Sequence, residues 1–129
     1  MRFGYTILYV RDVAATLDFY ERAFDQARRF VHESGQYAEL ETGDTTLAFA
    51  AHELAALSVP AAFNGVETDH RGPAFEICFV TDDVEAAFAR AVDAGAVEAS
   101  LPARKPWGQE VAYVRDLDGN LVELASPVP

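Results

Sequence analysis

The fold is decided by the stretch YTILYVRDVAATLDFYERAF, Tyr5 to Phe24, and by its counterpart EICFVTDDVEAAFARAVDAG, Glu76 to Gly95, at an offset of 71 residues. Each copy begins with a short run rich in Ile, Val and aromatic residues, which is typical of a strand. An aspartate, Asp12 or Asp83, then precedes an apolar stripe with spacings of three and four residues. This pattern predicts a capped amphipathic helix in both copies, so the chain is expected to contain one strand–helix unit twice.

The remainder of each half also corresponds. GQYAEL at 35–40 aligns with GQEVAY at 108–113, and GDTTLAFA at 43–50 aligns with LDGNLVELA at 117–125. These segments alternate between apolar and polar residues around tight-turn signals such as Asp-Gly-Asn, which predicts hairpins. Each half is therefore predicted to run strand, helix and then three strands.

The predicted elements define two modules joined by a linker. The first half has strands near 3–11, 28–34, 36–42 and 46–51 and a helix at 13–24, and the second has strands near 74–81, 97–103, 109–115 and 120–125 and a helix at 83–94. Residues 53–73 are rich in small and turn-forming residues, and their conformation is left open. We expect one α+β domain over 1–129, with module one at about 1–52 and module two at about 74–129.

Composition limits the possible partners. The 129 residues carry a net charge of −11, which opposes binding to a phosphate backbone and favours a cationic ligand. No apolar run approaches the roughly 20 residues that span a bilayer. The only cysteine, Cys78, cannot form an intramolecular disulfide. We therefore expect a cytoplasmic protein with neither nucleic acid nor membrane as a partner.

Two longer stretches carry a resemblance to a known family. YVRDVAATLDFYERAF at 9–24 resembles the first strand and helix of the vicinal oxygen chelate superfamily, the glyoxalase, bleomycin-resistance and dioxygenase group. KPWGQEVAYVRDLDGNLVELASP at 105–127 resembles its C-terminal signature, with a WG turn, a hairpin through DxDG and a closing VEL. The resemblance implies two tandem βαβββ modules, each an incomplete barrel curling around a cleft, and assembly as a homodimer.

The resemblance also points to four positions. In metal-dependent members of the superfamily, ligands come from the opening strand and the last strand of each module. With the two halves aligned so that Leu47 pairs with Leu121, these positions are Tyr5 and Glu76 on the opening strands and Phe49 and Glu123 on the last strands. Only the second module therefore keeps a carboxylate at both of its positions.

The residues at these positions make a poor metal site. A phenyl ring cannot coordinate an ion, and a phenol with a reference pKa of about 10 is a weak ligand. His32, His52 and His70 are scattered and form no H-x-H or H-x3-H pair. We expect no cofactor. The alternative is a divalent metal that uses Glu76 and Glu123.

Glu76 and Glu123 are the candidate catalytic residues. Buried carboxylates are costly unless they are paired or hydrogen-bonded, so the two glutamates either bind basic side chains, amides or water within the protein or contact a ligand. In the second case they receive a cationic or hydrogen-bond-donating group, or one of them acts as a general base. Cys78 alternates with Glu76 along a strand, and without a histidine partner we expect it to be an inert core residue.

Aromatic residues complete the predicted ligand-binding set, which consists of Tyr5, Phe49, Glu76, Trp107, Tyr113 and Glu123. Trp107 lies in a loop just before the last hairpin, where an exposed indole is placed to stack on a planar ligand. Packing under the loop or in a dimer contact is an equal alternative for this tryptophan.

Three functions remain open at this point. The first is a metal-free homodimer that binds a small organic molecule in acidic, aromatic-lined clefts, with drug sequestration in resistance as one biological role. The second is a metal-dependent lyase, isomerase or dioxygenase. The third is a metal-free enzyme in which one glutamate abstracts a proton next to a carbonyl.

Overall fold

A computed structural model describes residues 1–59 and 73–129 of the chain. The elements in these ranges are β1 (Tyr5–Val10), α1 (Val13–Phe24), β2 (Arg28–Val31), β3 (Tyr37–Leu40), β4 (Thr46–Ala51), α2 (His52–Ser58), β5 (Ile77–Val80), α3 (Val84–Asp93), β6 (Val97–Arg104), β7 (Glu110–Arg115) and β8 (Leu121–Ala125). No helix in this part of the chain is long and apolar enough to cross a membrane.

The strand–helix–three-strand order is present twice, which confirms the predicted α+β fold with two tandem modules. The chain divides into two compact units, one containing β1 to β4 and the other β5 to β8. The predicted linker begins with a short helix, α2, and the rest of it, 60–72, lies outside the described residues, as does His70.

Each unit contains one mixed four-stranded sheet. The strand orders are β1-β4-β3-β2 and β5-β8-β7-β6, so the opening and last strands of each module are neighbours. These two strands run parallel, and the other pairs are antiparallel. Neither sheet closes on itself as a barrel. Because the opening and last strands are adjacent, residues carried by both can meet on one face of the sheet.

The helices begin where the sequence predicts. The Asp12 side chain accepts a hydrogen bond from the Ala15 amide at 2.9 Å, and Asp83 caps α3 through Ala86 at the same distance. Both aspartates have extended backbone conformations, as N-cap residues require. The buried stripe of α3, which includes Phe88, lies against β6, β7 and β8. This helix therefore covers one face of its sheet and leaves the other face for polar side chains.

The turn between β7 and β8 explains the DxDG signature. Asp116 is 2% exposed, and its Oδ1 accepts from the Asp118 and Asn120 amides at 3.0 and 2.8 Å. Its Oδ2 accepts from Asn120 Nδ2 at 3.1 Å. Gly119 has φ of +92°, a conformation in which a side chain is strained. These residues therefore fix the hairpin and satisfy its buried polar groups internally.

Candidate functional site

Two carboxyl groups meet on the sheet of the second unit. Glu76 lies one residue before β5, and Glu123 lies on the adjacent strand β8, directly opposite Cys78. Glu76 and Cys78 are two residues apart, so their side chains project from the same face of β5. The Glu76 carboxyl shares a hydrogen bond with Glu123; this bond, desolvation and the Glu123 charge raise the pKa of Glu76 to about 7. Near neutral pH the two carboxyl groups therefore share one proton, which they readily release or take up again.

A phenol and a thiol lie on either side of Glu123. Tyr113 on β7 is its partner in the antiparallel register, and Cys78 on β5 is its partner in the parallel one. Desolvation, followed by the neighbouring carboxylates, raises the pKa of the Cys78 thiol to about 11 and also raises the pKa of Tyr113. Both groups are therefore protonated at neutral pH, and Cys78 is a poor nucleophile there. We call Glu76, Cys78, Tyr113 and Glu123 the acidic cluster.

The donors of the acidic cluster do not suit the divalent metal that is the alternative expectation from the sequence. Across 1–59 and 73–129, no three His, Cys, Asp or Glu side chains are positioned to hold an ion. The Cys78 thiol next to Glu123 must lose a proton to coordinate an ion, and its pKa of about 11 makes it a weak ligand at neutral pH. Two carboxyl groups that share a proton are the donors that remain, which is too few for a closed site.

The strand register of the first unit corrects the sequence alignment of the two halves. In the parallel ladders Thr6 pairs with Leu47 and Ile77 pairs with Val122. Leu47 is therefore the counterpart of Val122, and the predicted pairing of Leu47 with Leu121 is wrong by one residue. A shift of one residue moves every side chain of a strand to the opposite face.

Ala48, not Phe49, consequently occupies the position that corresponds to Glu123. Phe49 is fully buried, and its ring packs 4.8 Å from the ring of Tyr20 on α1. The expectation that Phe49 contacts a ligand is therefore corrected, because Phe49 is a core residue on the helix side of its sheet. Tyr5 lies at the start of β1 opposite Thr46 and is 52% exposed.

Three residues that the sequence analysis did not select form a polar network on the first sheet. Tyr37 donates its hydroxyl to Glu39 Oε1 at 3.0 Å, and Arg29 Nε lies 3.7 Å from Glu39 Oε2. The alternation of YAEL along β3 already places Tyr37 and Glu39 on one face, so this part of the network was detectable in the sequence. Arg29 lies at a bulge in β2 that leaves it without a residue opposite it, and no residue pattern predicts this bulge.

Trp107 lies in the turn between β6 and β7 and is 62% exposed. Its indole Nε1 donates to Gln109 Oε1 at 2.8 Å, and Gln109 Nε2 donates to the Ser126 carbonyl at 2.8 Å. Gly108, at φ of +96°, completes the turn through a hydrogen bond to the Lys105 carbonyl at 2.9 Å. The indole therefore does not pack under its own loop but is held on the surface by a short chain of hydrogen bonds.

Comparison with known families now identifies the class of protein. The sequence model of the Glyoxalase/Bleomycin resistance protein/Dioxygenase superfamily matches residues 2–124. Since this match covers nearly the whole chain, the protein belongs to that superfamily. Comparison with functionally curated protein sequences gives no significant match.

Solved structures share the fold at low sequence identity. A glyoxalase-related enzyme from Fulvimarina pelagi is 21% identical, with a TM-score of 0.84 over 97% of this chain and 87% of that one. A superfamily enzyme from Burkholderia phytofirmans PsJN is 24% identical, with a TM-score of 0.76 and 98% of each chain covered. A lactoylglutathione lyase from Agrobacterium tumefaciens is 23% identical, with a TM-score of 0.70 over 98% of this chain and 93% of that one. These similarities establish the fold and leave the activity to be argued from the residues.

Proposed function

We propose that the protein binds a small organic cation at the acidic cluster, as a homodimer and without a metal. The observation that carries the proposal is the hydrogen-bonded pair of Glu76 and Glu123 next to two neutral side chains. A cationic group that approaches this pair replaces the shared proton and leaves both carboxylates ionised. Sequestration of a cationic drug is one biological role for such a binding protein.

No basic side chain in the described ranges neutralises the charge of the two glutamates. Neither glutamate forms an ion pair with an arginine or lysine there. Two adjacent carboxylates without a counter-charge repel each other, so the one proton that they share is held unusually tightly. A ligand cation supplies the missing charge, and the net charge of −11 favours its approach.

Tyr113 and Trp107 supply the remaining contacts of the proposed site. Tyr113 is half-buried directly beside Glu123 and offers both a ring face and a hydroxyl donor. Trp107 is fixed in an exposed orientation, so its indole loses little freedom on contact with a planar ligand. Aromatic contacts of this kind add about 0.5–1.5 kcal/mol to area burial.

One observation favours a second function, that of a metal-free enzyme. A carboxyl group whose pKa is raised to about 7 is well matched to general-base catalysis at neutral pH. In this case Glu76 accepts a proton from a carbon next to a substrate carbonyl, and Tyr113 donates a hydrogen bond. The metal-dependent lyase, isomerase or dioxygenase has less support from the donor set, and metal analysis of the purified protein distinguishes it from both.

Matched aromatic probes of different charge test the proposal. We would titrate the protein calorimetrically at pH 8 and low salt with 1-methylquinolinium, with the neutral 1-methylnaphthalene and with the anion 1-naphthoate. The cation 1-methylquinolinium should bind most tightly of the three probes. Glu76→Gln and Glu123→Gln should each weaken its binding on the order of tenfold or more. Glu98→Gln, which removes an exposed carboxylate from β6 of the same unit, is the matched control and should leave binding unchanged.

Two outcomes would contradict the proposal. One is tighter binding of 1-naphthoate than of 1-methylquinolinium. The other is cation binding that responds to Glu98→Gln as strongly as to Glu123→Gln, because a general surface field would then account for it.

A further inference from the structure

A β-bulge presents Arg29 on the sheet of the first unit. The β2–β3 register changes from Arg28 opposite Leu40 to Phe30 opposite Glu39, so Arg29 has no residue opposite it. Successive residues of a strand alternate between its two faces, and the bulge leaves space beside Arg29 on its own face. Arg28 pairs with Asp18 and Glu21 of α1, which places it on the helix side. Arg29 instead extends over the other strands of the sheet.

The guanidinium of Arg29 is held at two points. Its Nη1 donates to Thr46 Oγ1 on β4 at 3.2 Å, and its Nε lies 3.7 Å from Glu39 Oε2 on β3. Thr46 is only 4% exposed, so the first contact anchors the arginine at a buried position. The Arg29 side chain is still 45% exposed, and Nη2 hydrogen-bonds no residue in the described ranges. A fixed guanidinium with free donors is suited to a planar oxyanion.

The surroundings of Arg29 select among anions. Glu39, the carboxylate facing it, brings the local net charge to zero, which disfavours a multiply charged ligand such as phosphate. Tyr5 is 52% exposed and lies opposite Thr46, the residue that anchors Arg29. Paired residues of a parallel ladder project from the same face, so Tyr5 shares the face on which Arg29 contacts Thr46 and offers a ring to an aromatic ligand. The Tyr37 hydroxyl is engaged with Glu39, and desolvation followed by this hydrogen bond raises the pKa of Tyr37 to about 12, so it adds no charge.

We infer that the first unit carries a second binding site, for an aromatic monocarboxylate, in which Arg29 receives the carboxylate and Tyr5 contacts the ring. Thr46 and Glu39 position the guanidinium and do not themselves bind the ligand. The site lies within the first unit and uses none of the residues of the acidic cluster. It therefore does not depend on the cation-binding proposal for the second unit.

Benzoate is the probe that tests this inference in the full-length protein. Titration of ¹⁵N-labelled protein should produce a saturable shift of the Arg29 Nε–Hε resonance at millimolar benzoate. Acetate, which lacks the ring, should bind more weakly, and Arg29→Gln should abolish saturable binding. Arg29→Lys keeps the charge but loses the planar fork, so its affinity for benzoate should fall several-fold or more.

Two control variants separate this site from other effects. Arg28→Gln removes the neighbouring arginine on the helix side and should leave the Arg29 shift in place. Glu123→Gln disables the proposed cation site and should leave benzoate binding unchanged. The inference is overturned if the Arg29 resonance does not move, if acetate matches benzoate, or if Arg29→Lys binds benzoate as tightly as the original protein.

Discussion

Glu76 and Glu123 couple protonation to stability because the hydrogen bond between them requires a proton. The raised pKa of Glu76 means that the folded state binds this proton more tightly than the unfolded state does. The stabilisation is therefore complete below the ordinary value of 4.5 and is lost as the pH rises through about 7. Because Glu76 is exposed, solvent screening limits the size of the effect.

This coupling predicts a pH-dependent difference between the original protein and Glu76→Gln. The glutamine keeps a hydrogen-bond donor for Glu123 at every pH, so the variant should become relatively more stable between pH 5 and pH 8. Denaturant unfolding at a series of pH values measures the difference. A difference that stays constant across this interval would show that the pair does not share a proton.

Trp107 is the only tryptophan, so its fluorescence reports on one position. Gln109→Ala removes the acceptor at 2.8 Å and should lower the fluorescence anisotropy of the indole while the circular dichroism stays unchanged. Gln36→Ala in the first unit is the control and should leave the anisotropy as it is. If Gln109→Ala does not change the anisotropy, the hydrogen bond does not fix the indole, and Trp107 loses its role as a preorganised contact.

Among the elements, the capped helices were predictable and the register of β4 was not. Asp12 and Asp83 each precede an apolar stripe of helical period, and both cap the helices that follow. Every residue of β4 is buried, so its sequence has no alternation between an inner and an outer face. Its register is set by hydrogen bonding to β1, which the sequence pattern does not contain. For this reason the sequence pattern assigned Phe49 to the wrong face of its sheet.

The corrected register predicts different effects at two aromatic residues that the sequence analysis treated alike. Phe49→Leu should cost about 1–2 kcal/mol of unfolding free energy, because the phenylalanine ring is fully buried against Tyr20. Tyr5→Leu should stay within about 0.5 kcal/mol, because Tyr5 is largely exposed. Denaturant unfolding compares the two variants, and equal costs would contradict the register.

Of the two candidate sites, one could be predicted from the sequence and the other could not. Glu76 and Glu123 were selectable because the family resemblance points to the opening and last strands of each module, which the fold makes neighbours. Arg29 was not selectable, since an arginine beside another arginine on an exposed strand suggests a solvated edge. Strand alternation places the two arginines on opposite faces, and the bulge in β2 leaves Arg29 without a residue opposite it.

At the scale of the whole molecule, the proposed homodimer is open to a direct test. Light scattering should give a mass of about 28 kDa, twice the 14.1 kDa of the chain, as expected for a twofold assembly. The mass should remain at this value over a range of protein concentrations. A monomer that persists at high concentration would rule out the assembly and leave cation binding as a property of the single chain.

Proton release on ligand binding tests the central claim, that the carboxyl pair of the second unit is the cation receptor. The enthalpy of 1-methylquinolinium binding, measured in buffers of different ionisation enthalpy, gives the number of protons released. With the pKa of Glu76 raised to about 7, binding should release most of one proton at pH 6 and much less at pH 8. Glu76→Gln should release none at either pH. Binding of the cation without proton release at pH 6, or with the same release in Glu76→Gln, would contradict the claim.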